Sequence, residues 1–233
     1  GENSGSMKIV FDTFETPLEL RQDKVNVLRI ADKTLFSRCV ASLADCENAE
    51  MLENFVIVDS EGKERKTRDA LYFAGDPVHL DCGDKKLLAL AVKKVTAMLM
   101  DSPDIVERAV SLNEAIQQIV CDELVQLSGS YAIPDRWSAD KFLKSLGFCV
   151  DVSDDATLFD KTCHFVQIAG DLFPDKVLVF VHANTYMSES EYQDFCKLVI
   201  AQGIIVLSCE FGDNYNFSYL ENGKYVDNYY LEY

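Results

Sequence analysis

The sequence is poor in the residues that build zinc sites and most hydrolytic centres. It has 3 histidines, each flanked by apolar residues, and its 8 cysteines form no Cys-x-x-Cys pair. Structural zinc needs closely spaced Cys and His ligands, and Ser-His-Asp or Cys-His catalysis has local signatures that are missing here. We therefore expect reduced cysteines in a cytoplasmic protein and no His-centred acid–base site.

Glycine, proline and long apolar runs are also scarce. The 233 residues include 11 Gly and 5 Pro, while 48% are hydrophobic, which is typical of a globular chain and not of a fibrous or disordered one. No apolar run approaches the ~18 residues that span a bilayer. The glycines form no phosphate-binding loop, so no nucleotide cofactor is expected. Residues 1–6 (GENSGS) lack the layout of a signal peptide and are interpreted as a cloning scar.

Positive charge is scarce as well, and it is unevenly distributed. The chain carries 22 Lys and Arg against 39 Asp and Glu, a net charge of −17, which by itself opposes nucleic-acid binding. Residues 61–94, however, carry 8 basic and 6 acidic residues, so this segment is positive in an otherwise acidic chain. Such a segment favours phosphate contacts without sequence preference, although a solvated charged face is the alternative interpretation.

Hydrophobic patterning predicts an α/β fold with a mostly parallel sheet. Strands are predicted at 8–11, 18–20, 25–30, 55–58, 148–152, 177–181 and 204–207, and helices at 33–43, 84–100, 103–127, 137–145, 155–170 and 188–201. The continuous apolar strands 177–181 and 204–207 flank a helix, as in a βαβ unit. Asn222-Gly223 predicts a tight hairpin near the C-terminus.

One predicted helix has the spacing of a coiled coil. Ser102 is the expected N-cap and Pro103 the first helical residue. The apolar residues then follow steps of four and three, at Ile105, Ala109, Leu112, Ile116 and Ile119. This seam predicts a helix pair or coiled coil on a projecting arm.

The order of these features resembles the Csn-two family of type II-A CRISPR loci. The resemblance is carried by Phe11 through Pro17-Leu18-Glu19-Leu20, Lys144 through Gly147, Asp155 through Ile168, Lys176 through Glu191, and Ile205 through the Tyr219-Leu220 segment. It implies a homotetrameric ring whose subunits have an α/β head (7–78 and 146–233), related to P-loop ATPases without their nucleotide loop, and an inserted helical leg (79–145).

The resemblance also implies a function. A member of this family would be a non-enzymatic protein of antiviral defence that binds double-stranded DNA ends during spacer acquisition, beside the CRISPR integrase complex and the effector nuclease, and without membrane contact. Relatives carry a basic turn after the strand that corresponds to 55–58. The DNA-binding candidates are Lys63, Arg65, Lys66, Arg68, Lys86, Lys93, Lys94 and Lys144.

Calcium supports the assembled ring in relatives, which carry a dense acidic stretch after the long helix. This chain departs from that pattern and keeps only Asp122, Glu123 and Asp135, which are the metal candidates. Two other classes of function remain open. A metal-dependent nuclease could use an acidic pair such as Asp122-Glu123, Asp154-Asp155 or Asp101-Asp104, and a protein-interaction scaffold would not bind DNA at all.

Overall fold

A computed structural model describes residues 7–45, 52–133, 137–153 and 155–233. In the first part of the chain the elements are β1 (Met7–Phe11), β2 (Leu18–Leu20), β3 (Val25–Ile30), α1 (Lys33–Ala44), β4 (Phe55–Val58), β5 (Glu64–Arg65), α2 (Thr67–Ala70) and β6 (Leu71–Gly75). They continue with α3 (Lys85–Met100), α4 (Pro103–Leu124), α5 (Ala139–Ser145), α6 (Leu158–Leu172), β7 (Val177–Val181), α7 (Glu189–Gln202), β8 (Ile205–Phe211) and β9 (Glu221–Val226).

The chain divides into two units. One holds the chain up to Cys82 and from Val152 onward, and the other holds residues 83–151. The sequence predicted the corresponding boundaries after residues 78 and 145. We call them the α/β unit and the helical unit, and each is described by itself.

The α/β unit is built on a five-stranded parallel sheet in the order β6-β7-β8-β3-β9. All six residues of β3 are buried because both faces of the sheet are covered. On one face α1 packs together with a four-stranded sheet of order β2-β1-β4-β5, and the apolar residues between them form the main core. Phe165 of α6 and Phe195 of α7 pack against Phe180 of β7 on the other face. The predicted α/β class with a parallel sheet is confirmed.

The loop between β3 and α1 joins the end of a parallel strand to the start of a helix, which is where phosphate-binding loops occur in parallel sheets. Here Asp32 caps the helix, and its carboxylate accepts a hydrogen bond of 2.7 Å from the backbone N–H of Leu35. A carboxylate therefore occupies the helix terminus at which a nucleotide phosphate would bind.

Side-chain caps begin α1 and α7 as the sequence predicted, whereas Ser102 precedes α4 without a side-chain capping hydrogen bond. Ser188 and Glu191 form the expected capping box at the start of α7. A second box, formed by Thr157 and Asp160, starts α6 later than predicted. Gly147 has a φ of +71° and follows α5, a backbone conformation that glycine adopts readily.

The helical unit contains α3, α4 and α5, with α3 packed against both others. α3 buries Leu87 and Val92, whereas α4 buries none of its residues. The α4 helix begins at Pro103 as predicted and ends at Leu124, before the predicted end at 127.

Two sequence predictions are wrong. Residues 148–152 form no strand, because no described strand pairs with them after the chain turns away at Gly147. Asn222-Gly223 is no hairpin but lies within β9, which runs parallel to β3. Gly223 is required there for a different reason, since the ring of Phe217 occupies the space that a Cβ atom would need.

The described part of the chain contains no helix that is both long and apolar enough to cross a membrane. Of the described cysteines, Cys39, Cys82, Cys196 and Cys209 are buried, and all are free thiols. Burial raises the pKa of Cys39 to about 12, so this thiol stays neutral.

Candidate nucleic-acid interface

The first four DNA candidates follow β4 in a turn that Asp59 organises. Its carboxylate accepts hydrogen bonds of 3.0 Å from the backbone N–H groups of Glu61 and Lys63, and Gly62 has a φ of +80°. The chain then returns as β5, in which Arg65 lies opposite Ile57 and Glu64 opposite Val58. This tight reversal holds residues 63–68, the basic turn segment, at the edge of the four-stranded sheet.

The four basic side chains of the basic turn segment do not share one face. Arg65 is directly opposite Ile57, so it lies on the core side of β5 and is only half exposed. Lys63, Lys66 and Arg68 are exposed, and the side chains of Lys63 and Lys66 form no ion pair with any described residue. Arg68 lies 3.7 Å from Asp69, an exposed contact of little energetic weight. Lys63, Lys66 and Arg68 are therefore available for phosphate contacts.

Lys176 joins this segment from a distant part of the chain. Its Nζ donates a hydrogen bond of 2.7 Å to the backbone carbonyl oxygen of Arg68, because the starts of β6 and β7 are neighbours in the parallel sheet. Local sequence reasoning did not include Lys176 among the candidates, since 108 residues separate the two positions. Pairing of the two strands was the only signal that could have indicated it.

On the helical unit, Lys86, Lys93 and Lys94 are exposed along α3. At 100° per residue Lys86 and Lys93 lie within 20° of each other, on the side opposite Leu88, Ala91 and Val95, and Lys94 lies about 80° away. Lys86 and Lys93 thus form a short basic stripe on α3. Lys144 stands on α5 and lies 3.6 Å from Asp140, one helical turn earlier.

The metal candidates do not converge within the described residues. Asp122 and Glu123 are neighbours at the end of α4 and are exposed. Their carboxylates accept hydrogen bonds from the glutamines Gln118 (2.7 Å) and Gln126 (3.0 Å), respectively. No group of three His, Cys, Asp or Glu side chains suited to a metal ion occurs in the described ranges. Asp135 lies outside the described residues, as does Asp154.

The coiled-coil seam of α4 is exposed to solvent. The exposed fractions of Ile105, Leu112, Ile116 and Ile119 are 47, 66, 58 and 66%. A large exposed apolar stripe on an otherwise charged protein is typical of an interaction surface. We call these four residues the α4 seam.

Sequence comparison decides the family. The model of the CRISPR-associated Cas_Csn2 family matches residues 49–220, which is most of the chain. The chain belongs to the Csn2 family of CRISPR-associated proteins. This confirms the resemblance that the order of short motifs indicated.

Two curated relatives match this chain over most of their lengths. The chain is 26% identical to the CRISPR-associated protein Csn2 of Enterococcus faecalis over 228 residues, covering 97% of this chain and 99% of the relative. It is 23% identical to the CRISPR-associated protein Csn2 of Streptococcus agalactiae over 195 residues, covering 83% and 84%. Neither name states an enzymatic activity.

A solved structure shares the fold. The crystal structure of Stu0660 of Streptococcus thermophilus is similar with a TM-score of 0.50 at 14% identity, covering 88% of this chain and 69% of that chain. At this identity the similarity concerns the fold alone.

Proposed function

We propose that this Csn2-family protein is a non-enzymatic, sequence-independent binder of double-stranded DNA ends that acts in CRISPR spacer acquisition as a homotetrameric ring. The observation that carries the proposal is the exposed basic turn segment of a family member whose net charge is −17. Phosphate contacts of this kind supply affinity without reading bases. The CRISPR integrase complex and the effector nuclease are the proposed protein partners.

The surface charges favour DNA that passes through the proposed ring over DNA that binds to the outside of the ring. An acidic exterior repels DNA, so attraction must come from a local positive surface that the DNA reaches in one geometry. The basic turn segment and the α3 stripe of Lys86 and Lys93 are such surfaces, one on each unit. A ring that encloses these surfaces would bind linear duplex through its ends.

Self-association is supported by the α4 seam. At 100° per residue Glu107 and Glu114 lie on the other side of α4 and Asp104 lies about 90° from the seam. Arg108 borders the seam, so no acidic residue lies on the seam over the span of its four residues. Two copies of an acidic chain can meet along such a stripe without bringing their acidic side chains together.

A nucleotide plays no part in the proposed function. The α1 terminus is capped by the carboxylate of Asp32, which would repel a phosphate. Calcium, in contrast, is retained as a proposed ligand of the assembled ring. Asp122 and Glu123 would be its ligands at the end of α4, with Asp135 or a second subunit completing the coordination, because calcium takes six to eight oxygen ligands.

The experiment that tests the proposal compares one plasmid as a linear duplex and as a covalently closed circle, by mobility shift at low salt. We expect the linear form to bind and the circle not to bind. Linear DNA with both ends blocked by biotin and streptavidin is the matched control and should also fail to bind. Equal binding to all three forms would overturn the ring mechanism, and no binding to any form would overturn DNA binding.

Two additions to the same experiment test the remaining parts. Parallel titrations with calcium or with EDTA, read together with sedimentation velocity, should show the tetramer favoured by calcium; identical profiles would remove calcium from the proposal. Long incubation of the linear DNA with magnesium or manganese should leave it intact, whereas cleavage would contradict the non-enzymatic assignment.

A further inference from the structure

A cavity of about 360 Å³ lies between α7 and the loop that joins β8 to β9. Its walls include Arg29 near the end of β3, Asn184 after β7, and Tyr192 and Gln193 of α7. The acidic residues Glu189 and Glu221 also line it. Lys66 and Lys176, in contrast, stand before the starts of the parallel strands. Arg29 and Asn184 therefore lie at the carboxyl ends of the parallel strands, and Lys66 and Lys176 lie near their amino ends. We call this space the α7 cavity.

Arg29 is the charged group of greatest interest in the α7 cavity. Arg29 is only 8% exposed. Its Nη1 donates hydrogen bonds to the carbonyl oxygens of Asn214 (2.7 Å) and Asn216 (3.2 Å), and the guanidinium lies over the ring of Phe217 at 5.0 Å. Its Nε and Nη2 donate no hydrogen bond to any described residue, and no described carboxylate forms an ion pair with it.

The nearest acidic neighbour in the sheet does not compensate this charge. Glu210 of β8 lies beside Arg29 in the parallel register, but its carboxylate is occupied elsewhere. Its Oε1 accepts from the hydroxyl of Ser208 at 2.6 Å, and its Oε2 lies 3.5 Å from Nδ1 of His182. A buried cation without a paired anion is costly in a folded protein. An anion that binds beside Arg29 would remove that cost.

The surroundings hold the guanidinium in a defined orientation. The side chain of Asn214 accepts a 2.8 Å hydrogen bond from the backbone N–H of Asn216, and this bond shapes the loop. The ring of Phe217 packs against Gly223 of β9. The carboxylate of Glu221 already accepts hydrogen bonds from the hydroxyl of Tyr192 (2.9 Å) and the backbone N–H of Ser218 (2.6 Å). Preorganised donors of this kind favour binding because little freedom remains to be lost.

We propose that the α7 cavity binds a small molecule through carboxylate or phosphoryl oxygens that are held by Nε and Nη2 of Arg29. These two donors form the planar fork that accepts two oxygens of one anionic group at once. The amides of Asn184 and Gln193 are placed to bind further polar groups of the ligand, and a volume near 360 Å³ suits a metabolite of moderate size. This site goes beyond DNA-end binding and does not depend on it.

Calorimetric titration at 0.15 M salt tests the site with three probes. Inorganic phosphate and a 5′-deoxynucleoside monophosphate represent phosphoryl oxygens, and glutarate represents carboxylates. We expect at least one probe to bind saturably to the full-length protein, and the preference among them identifies the source of the oxygens. If none of the three binds, the proposal is wrong.

Two variants locate the binding. Arg29→Lys keeps the charge but loses the fork, and we expect at least a tenfold loss of affinity. Because this residue is buried, Gln193→Glu provides a second test that does not disturb the core: it places a negative charge at the cavity rim and should weaken binding several-fold. Gln202→Glu, which makes the same change at an exposed position at the end of α7, should bind like the wild type.

The outcomes separate this site from the proposed DNA function. Gln193→Glu should leave the affinity for linear DNA unchanged while it weakens binding of the small anion. Unchanged anion binding in both Arg29→Lys and Gln193→Glu would place the anion elsewhere and overturn the proposal, whatever the DNA experiment shows.

Discussion

Phe217 covers Gly223 so closely that a Cβ atom at position 223 would overlap the aromatic ring. The contact joins the loop after β8 to β9, which lies beside β3 in the sheet. Phe217 also supports the guanidinium of Arg29, so the pair connects the edge of the sheet with the α7 cavity.

Gly223→Ala should therefore destabilise the protein. Overpacking at a closely covered position costs about 1–3 kcal/mol, measured as the free energy of unfolding in urea. Phe217→Leu removes the planar ring, and in that background Gly223→Ala should cost less. Equal costs in both backgrounds would show that the two residues are not coupled.

Reversal of charge in the basic turn segment should abolish DNA binding without unfolding the protein. The variant replaces the three exposed cations by Glu, namely Lys63, Lys66 and Arg68, and leaves Arg65 unchanged because it lies on the core side of β5. Without these cations the affinity for linear duplex should fall at least tenfold, and its dependence on salt should flatten by about 0.9 in slope for each phosphate that is no longer neutralised.

A control variant makes the same change in net charge elsewhere. It replaces three other exposed cations by Glu, namely Arg21, Lys33 and Lys197. Mobility shifts should show that this variant keeps most of its affinity. If both variants lose binding equally, total charge and not the basic turn segment determines the affinity.

Lys176 should contribute to DNA binding although it is remote in sequence. Its ammonium group is held beside the backbone of Arg68, so Lys176→Gln removes a positive charge from this surface. We expect the affinity to fall roughly threefold to tenfold and the salt slope to be smaller by about 1. Lys197→Gln is the matched control, because Lys197 is exposed and pairs with Asp194 on α7. Equal affinity of the two variants would contradict a role for Lys176.

Polar substitution of the α4 seam should disrupt assembly. Leu112→Asp with Ile116→Asp places two charges on an exposed stripe, where the folded subunit loses little but a helix pair would bury them unpaired. Sedimentation velocity should show smaller species than for the wild type. Ser111→Asp with Gln118→Asp, at exposed positions about 120° around the same helix from the seam, should leave assembly unchanged. Wild-type assembly in the seam variant would exclude the seam as a subunit contact.

The His182–Glu210 pair should make stability depend on pH. A hydrogen bond with the carboxylate of Glu210 raises the pKa of His182 above 6.5; burial opposes this rise, and the charges of Glu210 and Asp76 support it. A raised pKa means that folding favours the protonated form. The stabilisation is therefore complete below pH 6.5 and is lost as the pH rises through the folded-state value.

The measurement is the free energy of unfolding at pH 5.5 and at pH 8.5. The difference between wild type and His182→Asn should be larger at pH 5.5. Asn is chosen because His182 has a φ of +58°, which Asn tolerates. His79→Asn, at an exposed position, controls for the loss of an imidazole. A difference that is the same at both pH values would show that the pair does not titrate in this range.

Local sequence patterns predicted most of the helices and strands because neighbouring residues determine where these elements begin. Asp32 and Ser188 form the expected caps with residues three positions away, and Pro103 starts α4 where its missing N–H costs nothing. The predicted strand at 148–152 failed because a short apolar run specifies neither burial nor a partner strand, and none of its residues is buried. The predicted hairpin at Asn222-Gly223 failed because the same glycine also suits close approach of an aromatic ring.

By itself the sequence determined the α/β class, the family, the missing phosphate loop and the basic turn segment, since each depends on residue types and short spacings. Only the tertiary structure decided that Arg65 lies on the core side of β5, that Lys176 joins Arg68, and that Arg29 is buried without an anion. These relationships depend on strand register and on the packing of loops across the sheet, which bring together residues that are far apart in the chain.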